Sequence, residues 1–215
     1  MSSMGLCVKI LIAPFYLGVK YMDEMTSRYL LAMDELNVLT KTSYHMIESD
    51  DIDAKIKQIT DDVLSFLIRA YRLGIENAST MLGHRLVVDT DDLEEAIYCL
   101  MDGKDFKDRV VDHILHKDLQ GLQVLVESEF HRIYNTALFD GAKQYESLWL
   151  FGITKTWETV RDEKVRDTHI YLDGMTIDLD SEFFTYDGDH AIHPGGFRKA
   201  ENNVNCRCII VISKK

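Results

Sequence analysis

The sequence has 215 residues, of which 46% are apolar and 28% are charged, and its formal net charge is −12. This length and composition exclude a disordered or fibrous chain and allow one domain or two small ones. The acidic balance argues against a dedicated DNA-binding protein, because such a surface repels the phosphate backbone. No apolar run reaches the ~20 residues of a membrane-spanning helix, so we expect no membrane association.

The first two thirds of the chain carry the apolar period of long helices. Residues 1–17 form an apolar lead, which either packs on the chain's own core or docks on a partner as an arm. Apolar stripes then predict helices over about residues 17–46 and 53–82, the second ending at Gly83. Aspartates at 89–92 are suited to cap a short helix through residue 100. A long helical stretch follows over about 106–145, broken near Gly121.

The pattern changes after residue 148. Residues 150–160 alternate as a strand, 162–169 form a turn or short helix, and 207–213 form a closing strand. Asp173-Gly174, between short apolar runs at 170–172 and 175–179, predicts a hairpin, and residues 180–200 an irregular loop. We therefore predict an α+β fold, in which long N-terminal helices precede a small antiparallel β-rich C-terminal module. The expected division is a helical region with the arm at 1–121 and a helix plus the β-rich unit at 122–215.

A set of less common residues in the last third of the chain has a recognisable order. In sequence it runs Trp157, Asp162, Arg166, His169, Asp173, Gly174, Phe183, Phe184, Pro194, Asn205, Cys206, Arg207 and Cys208. The helical segment Glu127-Ser-Glu-Phe-His-Arg-Ile-Tyr-Asn-Thr-Ala precedes it. Together they resemble the C-terminal module of phage Mu F-like minor head proteins, over about residues 122–210.

That resemblance implies a function by binding and no established catalytic activity. The implied protein is a minor head or portal-associated structural protein of a tailed bacteriophage, acting in capsid assembly, with genome packaging or ejection as further roles. Its partners would be the portal, other head proteins or both, with several copies per virion. It would lie in the capsid interior or at the portal vertex, and in the host cytoplasm during assembly. The resemblance implies no cofactor.

The histidines and cysteines of this region allow a metal site. The four cysteines of the chain are too few and too unevenly spaced for a disulfide framework, so we expect a reducing compartment. His169, Cys206 and Cys208, with His190 or His193, are ligand types that tetrahedral zinc accepts. The C-x-C spacing is shorter than the usual C-x₂₋₄-C, so we favour two cysteines packed in a small core over a metal.

Charged residues in the same region support two further hypotheses. Asp162, Arg166 and His169 are close enough in sequence to form a hydrolase site, which would make the protein a small packaged nuclease or toxin-like effector. The alternative is a polar network that locks a turn, and we favour it because no second carboxylate pair, phosphate loop or nucleophile elbow accompanies the cluster. The basic residues form either a solvated tail or a weak, non-specific DNA contact; they are Arg198, Lys199, Arg207, Lys214 and Lys215.

One helical face is expected to hold the two parts together. Glu129, Arg132 and Thr136 are spaced at i, i+3 and i+7, so they lie on the same side of a helix. We expect them to anchor this helix to the C-terminal module.

Overall fold

The structure is a computed structural model, and it describes residues 19–46, 51–98, 103–149 and 152–215. The predicted apolar arm at 1–17 lies outside the described residues. Within them, the α+β class is confirmed: five helices of nine residues or more precede a small antiparallel sheet.

Two long helices form the front of the molecule, as the apolar period predicts. Helix α1 runs over Val19–Met46 and α2 over Ile52–Leu82. The side chain of Asp51 accepts a hydrogen bond from the Ala54 amide at 3.0 Å, which satisfies one free N–H group at the start of α2. Gly83 ends α2 in the left-handed conformation, with φ of 60°, as predicted.

The later helical stretch is divided in a different place from the predicted one. Helix α3 covers Thr90–Tyr98, α4 covers Phe106–Leu115 and α5 covers Leu119–Trp149. The break falls at residues 116–118, where Lys117 has a φ of 54°, and Gly121 lies inside α5. Asp118 caps α5 by accepting from the Gly121 amide at 2.8 Å. An added Cβ at Gly121 would lie 2.0 Å from Oδ2 of Asp118, so the capping side chain would have to shift.

The C-terminal module is built on a three-stranded antiparallel sheet. Its strands are β1 (Ile153–Glu158), β2 (Thr176–Asp178) and β5 (Ile209–Lys214), in the order β2-β1-β5. Between them lie α6 (Asp167–Ile170), α7 (Ala200–Asn203) and a two-residue pair formed by β3 (Phe183–Phe184) and β4 (His190–Ala191). The predicted irregular loop over 180–200 is therefore interrupted by the two-residue pair of β3 and β4, and α7 begins at its end.

The predicted hairpin at Asp173-Gly174 is also wrong. Residues 170–172 continue the turn of α6, because the Tyr171 amide donates to the Asp167 carbonyl at 3.1 Å. The segment that follows pairs with β1 instead: the Gly174 amide donates to the Trp157 carbonyl at 2.8 Å. Gly174 is still at a position that favours glycine, with a φ of 77°.

Helix α5 connects the two parts of the molecule. It packs on α2 and α4 and also on β5, and the buried apolar side chains of the helices and the sheet form one continuous cluster. The division of the chain near residue 122 stays a prediction. No helix in the described parts of the chain is both long and apolar enough to cross a membrane.

Candidate functional site

Trp157 on β1 is the centre of the C-terminal module, and its side chain is fully buried. Rings of three other residues surround it: His169 at 5.3 Å between centroids, Phe183 at 5.1 Å and Phe197 at 5.6 Å. The imidazole of His169 also stacks on Phe197 at 5.4 Å. Residues from the predicted motif thus converge on one tryptophan and stabilise the module through aromatic contacts.

His169, Cys206 and Cys208 lie together against this aromatic cluster. Nδ1 of His169 is 3.6 Å from Sγ of Cys206 and 3.4 Å from Sγ of Cys208. The ligand atoms of the three residues all lie within 4.8 Å of one another, and each side chain is buried. Helix α6 carries His169, while Asn205, with a φ of 56°, turns the chain so that both cysteines enter the core just before β5.

The two thiols differ in how tightly they hold a proton: the pKa of Cys206 is below the usual cysteine value and the pKa of Cys208 is above it. Their mutual hydrogen bond lowers the pKa of Cys206; burial opposes this, and interactions with His131 and His169 lower the pKa further. The same hydrogen bond and burial raise the pKa of Cys208. The pair therefore holds a single thiolate more readily than two.

His131 on α5 approaches the same cluster, and the sequence reasoning did not single it out. Its side chain interacts with the Cys206 thiol, its Nδ1 is 2.8 Å from the Tyr29 hydroxyl, and its Nε2 is 3.3 Å from Nδ2 of Asn135. The signal that could have found it is its place in the helical segment at 127–137, which forms part of the family resemblance.

The other two histidines considered as metal ligands lie elsewhere. Nδ1 of His190 pairs with Glu182 at 2.9 Å, and Nε2 of His193 is 3.3 Å from the Thr136 hydroxyl. Burial lowers the pKa of His193 to about 4, so its imidazole is neutral near pH 7. These two residues are therefore structural neighbours of the module and not part of the His–Cys cluster.

Asp162 and Arg166 do not form the predicted ionic cluster with His169. Asp162 instead accepts two hydrogen bonds from Arg207, both at 2.7 Å, and Arg166 donates to the Val204 carbonyl at 2.5 Å. Both contacts fasten the turn before α6 to the segment that carries the cysteines. The arrangement is thus the polar network that locks a turn.

Asp173 fastens the chain where it leaves the C-terminal end of β1. Its Oδ1 accepts from the amide and hydroxyl of Thr159 at 2.9 and 3.0 Å, and its Oδ2 accepts from Arg161 at 2.8 Å. Burial raises the pKa of Asp173, but the hydrogen bonds from Thr159 and Arg161 outweigh it and hold the pKa below its usual value. The carboxylate therefore stays ionised and fixes the exit of the strand.

The helical face at 129–136 contacts both parts of the molecule. Glu129 is buried and pairs with Arg132 at 2.8 Å and with Arg109 of α4 at 2.8 Å. Arg132 also donates to the Ala96 carbonyl at 2.9 Å. On the module's side, a Cβ at Gly195, which follows Pro194, would lie 3.0 Å from Cα of Arg132. The side chains of Glu129 and Arg132 thus pair within the helical part, whereas Thr136 and the backbone of Arg132 lie against the module. Anchoring of the helix to the module by all three residues stays a prediction.

Several of the C-terminal basic residues are paired with carboxylates. Lys199 lies 2.8 Å from Asp187 and Lys215 2.8 Å from Asp178, in addition to the Arg207–Asp162 pair. Their charges are thereby partly neutralised, which weakens the case for a DNA contact.

A small cavity adjoins the His–Cys cluster. Its volume is about 10 Å³, which is close to the space that one water molecule needs. The lining includes the backbone and side chains of Arg166, His169, Cys206 and Cys208. The cluster is thus buried and lies next to a space that one water molecule could occupy.

These features define a helical scaffold that carries a compact module around a buried tryptophan, a histidine and a C-x-C pair. The sequence profile described as Phage Mu protein F like protein matches residues 90–211, more than half of the chain, and the chain belongs to this family. The resemblance drawn from the sequence is confirmed, and the matching region begins at α3 instead of near residue 122.

Two curated proteins are similar to this chain. The NAD(+)--arginine ADP-ribosyltransferase EFV of Enterococcus faecalis is 25% identical over 170 residues, which cover 78% of this chain and 34% of that protein. The Minor head protein GP7 of Bacillus phage SPP1 is 27% identical over 101 residues, which cover 45% of this chain and 32% of that protein. The chain thus spans about a third of the length of each relative. No solved structure matches it.

Proposed function

We propose that this chain is a minor head protein of a tailed phage, that it associates with the portal or neighbouring head proteins, and that it acts by binding. The observation that carries this proposal is the family membership over residues 90–211, supported by the similarity to a protein named as a minor head protein. The protein would reside in the virion, near the portal vertex or inside the capsid, and act in head assembly.

An exposed apolar face on α1 supports a protein partner. Leu31 and Val38, seven residues apart, expose 57% and 65% of their surface on the side of the helix opposite the buried Ala32 and Leu36. Exposed apolar side chains along one helix face are typical of a docking surface. We therefore place the contact with a head protein on α1.

The experiment is co-purification of the tagged full-length protein with the portal protein of its own phage. We expect the portal to be recovered with the wild-type protein and with Leu115→Glu, a control at another exposed apolar position. The double variant Leu31→Glu/Val38→Glu should lose at least ~90% of it, because two buried charges weaken an interface by several kcal/mol. Failure to recover the portal with the wild-type protein would contradict the portal association, and equal recovery with both variants would contradict the α1 contact.

The enzyme alternative has one observation in its favour, the similarity to the protein from Enterococcus faecalis. Against it, His169 is only 1% exposed, and Asp162 and Arg166 are engaged in contacts that hold a turn. We expect the purified protein to release no nicotinamide from NAD⁺ above the background given by heat-denatured protein, with an arginine-containing peptide as acceptor. Release above that background would favour the enzyme.

A further inference from the structure

We propose that His169, Cys206 and Cys208, with His131 as the fourth ligand, bind a structural zinc ion in the core of the C-terminal module. This inference does not depend on the role in the phage head. From the sequence, the C-x-C spacing favoured two cysteines packed in a core. In the proposed site the fold supplies ligands from α5, α6 and the segment before β5. The usual C-x₂₋₄-C spacing is therefore not required.

The distances fit tetrahedral zinc. With Zn–S bonds of about 2.3 Å and Zn–N bonds of about 2.0–2.1 Å, a tetrahedral ion separates a ligand nitrogen from a ligand sulfur by about 3.5 Å. Nδ1 of His169 lies 3.6 Å from Sγ of Cys206 and 3.4 Å from Sγ of Cys208. Nδ1 therefore already lies at the distance from each sulfur atom that a shared zinc ion would impose.

The surroundings of His169 point the same way. Its side chain is buried, and its Nδ1 faces the two sulfur atoms. Sulfur is a weak hydrogen-bond acceptor, so an imidazole buried in this way is poorly satisfied without a metal. A zinc ion bound to Nδ1 supplies the missing strong interaction.

His131 is placed as a fourth ligand by its own hydrogen bonds. The Tyr29 hydroxyl at 2.8 Å from Nδ1 fixes the ring, as outer partners do for metal-binding histidines. The other nitrogen, Nε2, lies 3.3 Å from Nδ2 of Asn135 and would turn from that contact to the ion. The imidazole is 2% exposed and comes from α5, which packs directly on β5. A zinc ion bound to His131 would therefore link the helical part of the molecule to the β-rich part.

The ligand set selects the metal. Two thiolates and two imidazoles are soft and borderline ligands that suit zinc, whereas magnesium and calcium prefer oxygen. The carboxylate of Asp162 is held by Arg207 and does not compete for the ion. A set of four protein ligands leaves no open position, which indicates a structural and not a catalytic site.

The test is the zinc content of the full-length protein, measured by plasma mass spectrometry after expression with added zinc and extensive dialysis. We expect close to one zinc per chain for the wild type. The same content is expected for His190→Gln, a control at a partly buried histidine that pairs with Glu182 outside the cluster. Cys206→Ser and Cys208→Ser should each reduce the content at least ~10-fold. Less than about 0.1 zinc per chain in the wild type, or full content in both serine variants, would overturn the proposal.

Two measurements on the wild-type protein test the zinc site without any variant, and a third tests His131. Cobalt titrated into metal-stripped wild-type protein should give the thiolate charge-transfer and intense visible bands of a tetrahedral site; weak octahedral bands alone would contradict it. Intact mass under non-reducing conditions should show two free thiols at Cys206 and Cys208, and a disulfide between them would overturn zinc ligation. His131→Gln should lower zinc affinity by more than about 10-fold, and unchanged affinity would overturn its assignment as the fourth ligand.

Discussion

The side chain of Asn135 on α5 hydrogen-bonds to the backbone around Ile210 on β5. Its Oδ1 accepts from the Ile210 amide at 3.1 Å, and its Nδ2 lies 3.4 Å from the Cys208 carbonyl. Asn135 is fully buried, so these backbone groups have no access to water. One amide side chain therefore takes the place of a neighbouring strand at this edge of the sheet and joins the helix to it.

We expect Asn135→Leu to lower the free energy of unfolding by about 2–4 kcal/mol, because it leaves a buried N–H and C=O without partners. Gln120→Leu, an exposed position on the same helix, should change it by less than ~0.5 kcal/mol. Urea denaturation followed by tryptophan fluorescence measures both. If both variants changed the free energy of unfolding by the same small amount, the Asn135 amide would not hold β5 in place.

The turn at Pro194 depends on a close approach between Gly195 and α5. Gly195 has a φ of 86°, and an added Cβ would lie 3.0 Å from Cα of Arg132, whereas Gly188 has a φ of 82° and open space around it. Gly188→Ala should therefore show only the conformational cost of about 1–2 kcal/mol. Gly195→Ala should cost at least about 1 kcal/mol more, since the helix backbone must move. Equal costs in chemical denaturation would contradict this contact.

Asp140 on α5 gives the fold a pH dependence below neutrality. Burial raises its pKa from 3.8 to about 7, against the hydrogen bond from the Tyr71 hydroxyl at 2.8 Å. Between pH 4 and 7 the folded protein holds a proton that the unfolded chain releases, so this group reduces stability as the pH rises through that window.

Asp140→Asn should therefore remove the loss of stability that accompanies the rise in pH from 4 to 7. The stability of the variant relative to the wild type should increase by about 2–4 kcal/mol between pH 4 and pH 7.5, as measured by denaturation at each pH. Asp34→Asn, at an exposed position on α1, serves as the control and should show no such trend. A difference that does not vary with pH would mean that Asp140 is ionised in the fold at pH 4.

Lys155 on β1 has the opposite effect at alkaline pH. Burial lowers its pKa from 10.5 to about 8, and its ammonium donates to the Ile192 carbonyl at 2.7 Å among the rings of Phe139 and Phe183. Between pH 8 and 10.5 the unfolded chain holds a proton that the folded protein has released, so stability rises with pH through this window.

Lys155→Met keeps a side chain of similar volume and removes the titrating ammonium group. The stability of the wild type relative to this variant should increase by about 1–3 kcal/mol from pH 7.5 to pH 10.5. The lost bond to Ile192 adds an offset that does not change with pH. Lys164→Met, at an exposed position, is the control. A flat difference across this range would place the Lys155 charge in contact with solvent.

Much of the fold follows from local pattern. The apolar stripes locate α1 and α2, Gly83 ends the second helix as predicted, and the alternating residues near 150–160 form β1. The Asp173-Gly174 hairpin fails because a dipeptide reports a local turn and not the partner of the strand that follows it. Here α6 takes up residues 167–170 and leaves β2 to pair with β1.

The site was predictable in part. His169, Cys206 and Cys208 belong to the motif that the sequence displays, and the structure brings them together. Periodicity alone does not single out His131, because a histidine on a buried helix face has the same pattern whether it packs or binds; only its place in the family segment at 127–137 could have indicated it. Asp162 and Arg166 are near His169 in sequence, but their partners lie about 40 residues further along the chain. Such contacts are decided by the tertiary fold.

The most direct test of the proposed function is quantitative mass spectrometry of gradient-purified phage particles, with the amount of this protein expressed relative to the portal protein. We predict that it is present at a fixed, low number of copies per portal in every preparation, and that the ratio persists after a high-salt wash. Its absence from purified particles would contradict a role as a component of the phage head.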